Sequence, residues 1–243
     1  MGLQEFVIQK LKEFEKKNLF SKANHDTKLQ MITYVVNASF KKEDLEVSLL
    51  YTERLYDDML RYGNAHYHKY LFFYYQALVM NFSDSKPEKA RRILNEIKDD
   101  KSFVSNPYYV QFILLNLALV NHGLGNYSEA MRSMKELLGS THFAGFEASF
   151  KNQTECLYLV FLYENEDFET VAKRVLALEL NSSFSPNQLL WLNILKLLTN
   201  RKDFKISNML KQECSLLFKD GYVEEKEESY IFNFNEWILK FLD

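Results

Sequence analysis

Glycine and proline are nearly missing from this chain. Seven glycines and three prolines among 243 residues amount to about 4%, against roughly 12% in average proteins. That scarcity argues against β-sandwiches and glycine-cradled nucleotide folds, which need both residues for tight turns. Cysteine is scarcer still. Cys156 and Cys214 show no CxxC spacing, which fits a reducing, cytoplasmic setting and not a disulfide-stapled secreted fold. Charge of one sign is lacking too: 30 basic and 33 acidic residues leave a net charge of −3. A chain without a basic excess has no electrostatic grip on phosphates, so no direct nucleic-acid binding is expected. Long apolar runs are also absent. Tyr108 to Val120, interrupted by Gln111 and Asn116, is shorter than the ~20 residues of a membrane span. The charges between Glu5 and Lys17 break any leader-like apolar segment, and no membrane partner is expected. Asn-x-Ser/Thr triplets at Asn37, Asn81, Asn126, Asn152 and Asn181 then carry no glycans and are read as chance.

Catalytic motifs are missing as well. There is no Walker loop, GxGxxG, GxSxG or HExxH, and the glycines are too scattered to cradle a phosphate. His66 and His68 stand at i and i+2, which on a helix sends them to different faces. His25, His122 and His142 are isolated. Asp57-Asp58 diverge by about 100° on a helix, and Asp99-Asp100 read as solvated punctuation. Glu224 to Glu228 read as an exposed charged linker. No enzyme, cofactor or metal is expected, and the chain is read as non-catalytic.

What the chain has in abundance is aromatic residues and helical periodicity. Twenty Phe, 15 Tyr and two Trp accompany apolar residues spaced by three and four, as in Leu3, Val7, Leu11 and Phe14. Helix starts are marked at Ser85-Lys86-Pro87-Glu88 and Asn126-Tyr127-Ser128-Glu129, which have capping-box form. They are marked again by proline at the first helical position in Asn106-Pro107 and Ser185-Pro186. Tyr70 to Met80 and Tyr108 to Val120 are apolar nearly all round, so neighbours must cover each on more than one side.

The segment Leu114 to Leu137 resembles a tetratricopeptide repeat. Leu117 and the small Ala118, the Gly125-Asn126-Tyr127 turn, Glu129-Ala130, Met134 and Leu137 carry the likeness. The same frame recurs with Ser48, Ala90, Ala130, Val171 and Ser207 as equivalent positions, spaced by roughly 42, 40, 41 and 36 residues. Trp191 takes the family's tryptophan position. The resemblance implies an all-α fold: a right-handed α-solenoid of about five antiparallel helix pairs with N- and C-terminal capping helices, in one domain over 1–243. The pairs are 26–40 with 43–61, 64–82 with 85–98, 106–123 with 126–138, 145–164 with 166–180, and 185–199 with 202–219. They fill 26–219 between caps within 1–25 and 220–243. Each hairpin leaves one face uncovered until the next stacks on it. The long repeats also resemble the sensor domains of bacterial peptide-responsive regulators, the RNPP group with its Rgg-like members. That likeness implies, as the alternative, the peptide-sensing domain of a transcriptional regulator whose DNA-binding domain is not in this chain.

In the repeat frame the first helix of each hairpin faces a concave groove. The resemblance places there Asn37 and Phe40, then Phe72 and Tyr75, then Phe112, Leu115, Leu119 and His122, then Gln153 and Tyr163, and last Lys196. Rings would supply contact area and amides would orient a bound main chain. The expected function is a protein- or peptide-binding scaffold or adaptor, with Phe72, Tyr75, Phe112 and Tyr163 as anchors. A homodimer through the stack ends is a further expectation. Phe232, Phe234, Trp237, Ile238 and Phe241 are apolar enough to dock on the last repeat.

Overall fold

The computed structural model describes residues 2–180, 184–199, 209–215 and 231–241. Every regular element among them is helical. They gather into two compact units, Met1–Gly125 and Asn126–Asp243. The first holds α1 (Leu3–Lys16), α2 (His25–Lys41), α3 (Leu45–Met59), α4 (Tyr67–Phe82), α5 (Pro87–Lys98) and α6 (Pro107–Gly123). The second holds α7 (Tyr127–Leu138), α8 (Ala148–Glu164), α9 (Phe168–Glu179), α10 (Pro186–Leu198), a helical stretch α11 over 209–215, and α12 (Phe234–Leu239). Observed ends lie within about three residues of the expected ones wherever both are described. Asn181, Ser207, the Glu224 to Glu228 run and most of the expected helix 202–219 lie outside the described residues.

Within the first unit each helix packs on the next, and α2 also meets α4. Within the second, α7 meets α8, α8 meets α9 and α10, and α9 meets α10. Covering on several sides is what the all-round apolar helices need: α4 buries Tyr70, Leu71 and Phe72 together with Ala77, Leu78 and Val79. The small positions of the repeat frame serve the packing. Ser48, Ala90, Ala130 and Val171 have no solvent exposure at all.

Local chemistry explains the turns. After α2, Glu43 takes φ 61 and the Asp44 N–H donates to the Ser39 carbonyl at 2.9 Å. After α8, Glu166 takes φ 60 and the Asp167 N–H donates to Leu162 at 3.0 Å. This is the left-handed closure in which a helix satisfies its last carbonyls. The next residue then opens the following helix: Asp44 accepts from the Val47 N–H at 3.3 Å and Asp167 from the Thr170 N–H at 3.2 Å. Gly125 has the same left-handed backbone, φ 74, in the most repeat-like segment.

Two expected capping boxes are not made. Pro87 occupies the first turn of α5 and the N-cap is Lys86, so Glu88 comes one residue too early to reach back. Ser85 Oγ instead donates to the Asn81 carbonyl at 3.3 Å. Asn126 is an N-cap without a side-chain bond, and Glu129 pairs with Arg132 one turn on. Asn106 and Ser185 do cap α6 and α10.

Candidate functional site

The expected groove residues fall in three environments. Phe72 is buried, stacked on Tyr109 at 3.7 Å and edge-on to Phe112 at 5.5 Å, with Phe103 at 5.5 Å. Tyr75 packs against Phe103 and Tyr74, and burial, helped by Glu96, pushes its hydroxyl up to about 12. Leu115 is buried, while Leu119 and His122 are half-buried. Phe72 and Phe112 therefore join an aromatic core and do not stand on an open wall.

In the second unit, the chain's own C-terminal segment meets two of the expected residues, Gln153 and Tyr163. Tyr163 lies edge-on to Trp237 and Phe241, both at 5.6 Å. The Ile231 N–H donates to Gln153 Oε1 at 3.0 Å. Trp237 Nε1 donates to Glu164 at 2.7 Å, and Trp191 stacks on Phe234 at 4.5 Å while donating to Asn235 at 2.9 Å. Lys196 is tied to Glu179 at 3.0 Å.

Asn37 and Phe40 behave differently. They line a cleft between α2 and α4 with Val36, and the α4 wall is Phe73, Gln76 and Met80. The frame set Phe72 and Tyr75 on this face, but the helix presents the residues one position later, a rotation of about 100°. The floor is Ser48 and the buried Asn81. Asn81 Nδ2 donates to the Ala77 carbonyl at 2.8 Å and to Ser48 Oγ at 3.0 Å. A carbonyl only accepts, so the amide orientation is settled and Oδ1 is the remaining atom. Oδ1 is buried with no hydrogen-bond partner among the described residues. Such an acceptor costs about 1–3 kcal/mol unless a donor reaches it. The cleft leaves about 20 Å³ at this point, room for one water-sized group.

A second concavity lies where α1, α2 and the end of α3 meet, and none of the motifs above pointed to it. Asp58, expected to be a bland helical carboxylate, is buried behind the lining residues Lys28 and Arg61, with which it pairs, while its neighbour Asp57 is exposed. Asp58 Oδ1 receives Lys28 Nζ at 2.9 Å and Arg61 Nε at 2.9 Å, and Oδ2 lies 3.6 Å from Arg54 Nε. Lys28, itself buried, also meets Glu15 at 3.0 Å, and Glu15 takes Arg54 as well. His25 Nε2 lies 2.9 Å from the Asp58 carbonyl. That carbonyl can only accept, so the proton sits on Nε2. Burial lowers the pKa of His25 below its ordinary value, which keeps the ring neutral at pH 7. The α3–α4 connection passes through three left-handed residues, Tyr62 (φ 55), Gly63 (φ 71) and Asn64 (φ 62). Tyr62 is held there edge-on to His25 at 4.9 Å. Sequence periodicity sees Lys28 and Asp58 as two ordinary charges 30 residues apart; only the α2–α3 contact joins them.

Among the described residues no His, Cys, Asp or Glu group is arranged to hold a metal. His66 turns to Asp26 at 3.6 Å, while His68 lies against the Tyr67 ring. No helix among them is long and apolar enough to cross a membrane. Compared with models of protein families, with curated proteins and with solved structures, the chain matches none.

Proposed function

We propose that the protein is a peptide-binding scaffold, a tetratricopeptide-like solenoid of helix pairs that engages a partner through the α2–α4 cleft. The supporting observation is the composition of that cleft: half-buried Phe40, Phe73 and Met80 beside the amides of Asn37 and Gln76, above the orphan Asn81 Oδ1. Apolar surface supplies affinity without direction, and amides with an unspent acceptor supply direction for a main-chain N–H. The contacts α2 with α4 and α8 with α10, each joining first helices of successive pairs, support the solenoid reading. So do the matching turns at Glu43 and Glu166.

The test is selection from a displayed library of random peptides. Selection should enrich short sequences bearing apolar or aromatic residues. Binding should be lost in the double variant Asn37→Arg, Gln76→Arg, which obstructs the cleft from its rim, while its melting temperature stays within about 2 °C of the parent. No enrichment, or peptides held equally by the variant, refutes the reading. Replacing Phe72 does not test it, because that ring is in the core and its loss should cost about 3–5 kcal/mol of stability.

A further inference from the structure

The polar concavity beside α1 is built unlike the cleft, and it has unspent binding capacity. About 220 Å³ is open within it, more than the roughly 150 Å³ that holds a benzene-sized molecule. Its charges do not cancel: among the lining residues Lys28 and Arg61 outnumber Glu15, and behind them Arg54 is matched by Asp58. Donors are in surplus as well. An ammonium has three N–H groups; Lys28 donates one to Asp58 and stands 3.0 Å from Glu15 as an ion pair. Arg61 is 60% exposed and meets Asp58 through Nε, which leaves the two terminal amino groups of its guanidinium, the edge that matches an oxyanion in a paired fork. The remaining walls are the Asn18 amide and three rings, Phe20, His25 and Tyr62.

A buried ion network is poor evidence of a purely stabilising role, since an apolar cluster of equal volume commonly does as well. The bulky Tyr62 in left-handed backbone is a further departure that packing alone does not require. We propose that this concavity binds a small organic acid, with one carboxylate held by Arg61 and Lys28 and an apolar, ring-sized body against Phe20 and Tyr62. Glu15, whose Oε1 takes both Lys28 and Arg54, also lines the concavity, so its carboxylate repels a second anionic group and selects a ligand with a single anionic head.

The experiment titrates the whole chain with benzoate and, separately, with benzyl alcohol, its neutral counterpart. Binding is read from amide chemical shifts at constant chloride, so that screening is equal. Benzoate should bind at least about tenfold more tightly than benzyl alcohol, and Arg61→Gln should weaken benzoate by about tenfold or more. Arg61→Lys should weaken it less, and Arg132→Gln, an exposed cation that does not line the concavity, not at all. Circular dichroism checks that Arg61→Gln keeps its helices. Absence of benzoate binding, equal binding of the alcohol, or an Arg61→Gln variant that binds as the parent does would overturn the proposal.

Discussion

Asp58 shows how much one carboxylate can be asked to do. Its side chain is 2% exposed and has three cations within 3.6 Å, and its own carbonyl accepts from His25. Ions leave water at a cost of several kcal/mol each, which is offset only when partners are close and well placed. Removing one partner leaves the others uncompensated. Asp58→Asn should therefore cost about 3–5 kcal/mol, measured by urea unfolding. A loss under about 1 kcal/mol would mean that the network is wetter than its burial indicates. Asp57, one residue away and exposed, should tolerate the same change within about 0.5 kcal/mol. Nothing in the dipeptide distinguishes the two, because 100° of helix rotation does.

The informative unit at the scale of elements is the turn between paired helices. Glu43 and Glu166 hold left-handed backbone, which costs an L-residue about 1–2 kcal/mol and glycine almost nothing. The chain itself uses glycine at the matching place, Gly125. Glu43→Gly and Glu166→Gly should each stabilise the protein by about 0.5–1 kcal/mol, even after glycine's greater freedom in the unfolded chain is counted. Thermal unfolding reads this directly, and a fall in melting temperature would show that the Glu side chains make contacts outweighing the backbone strain. The same logic explains the cap corrections. A motif such as Ser85-x-x-Glu88 requires the helix to start at one particular residue, and Pro87 moves that start by one.

For the molecule as a whole, both cysteines lie in the second unit, which makes them reporters of that unit alone. Burial raises the pKa of the Cys156 thiol far above its ordinary value and pushes Cys214 up to about 11. Both therefore stay neutral, and the thiolate is the reactive form. At pH 8 a thiol reagent should leave the native protein unlabelled and modify both cysteines in denaturant, at a rate set by opening of the second unit. Even at pH 9 native labelling should stay far slower than labelling in denaturant, because burial keeps both thiols from the reagent. Rapid labelling of Cys156 without denaturant would contradict its full burial.

Helix positions were legible in the sequence because apolar spacing, proline at helix starts and buried small residues such as Ala90 and Ala130 are local signals, and a helix satisfies its backbone within itself. Rotation about each helix was less legible. Packing buries Phe72 in the core and turns Phe73, one residue on, to the α2–α4 cleft, and in a chain this rich in rings both faces look alike. Amino-acid order thus determined which stretches are helical, where most of them turn, and that no glycine-built or disulfide-built fold is available. Tertiary packing decided which ring faces solvent and brought Lys28 to Asp58. It also laid Trp237 over Tyr163, because contacts between distant helices depend on how surfaces fit and not on the spacing within any one of them.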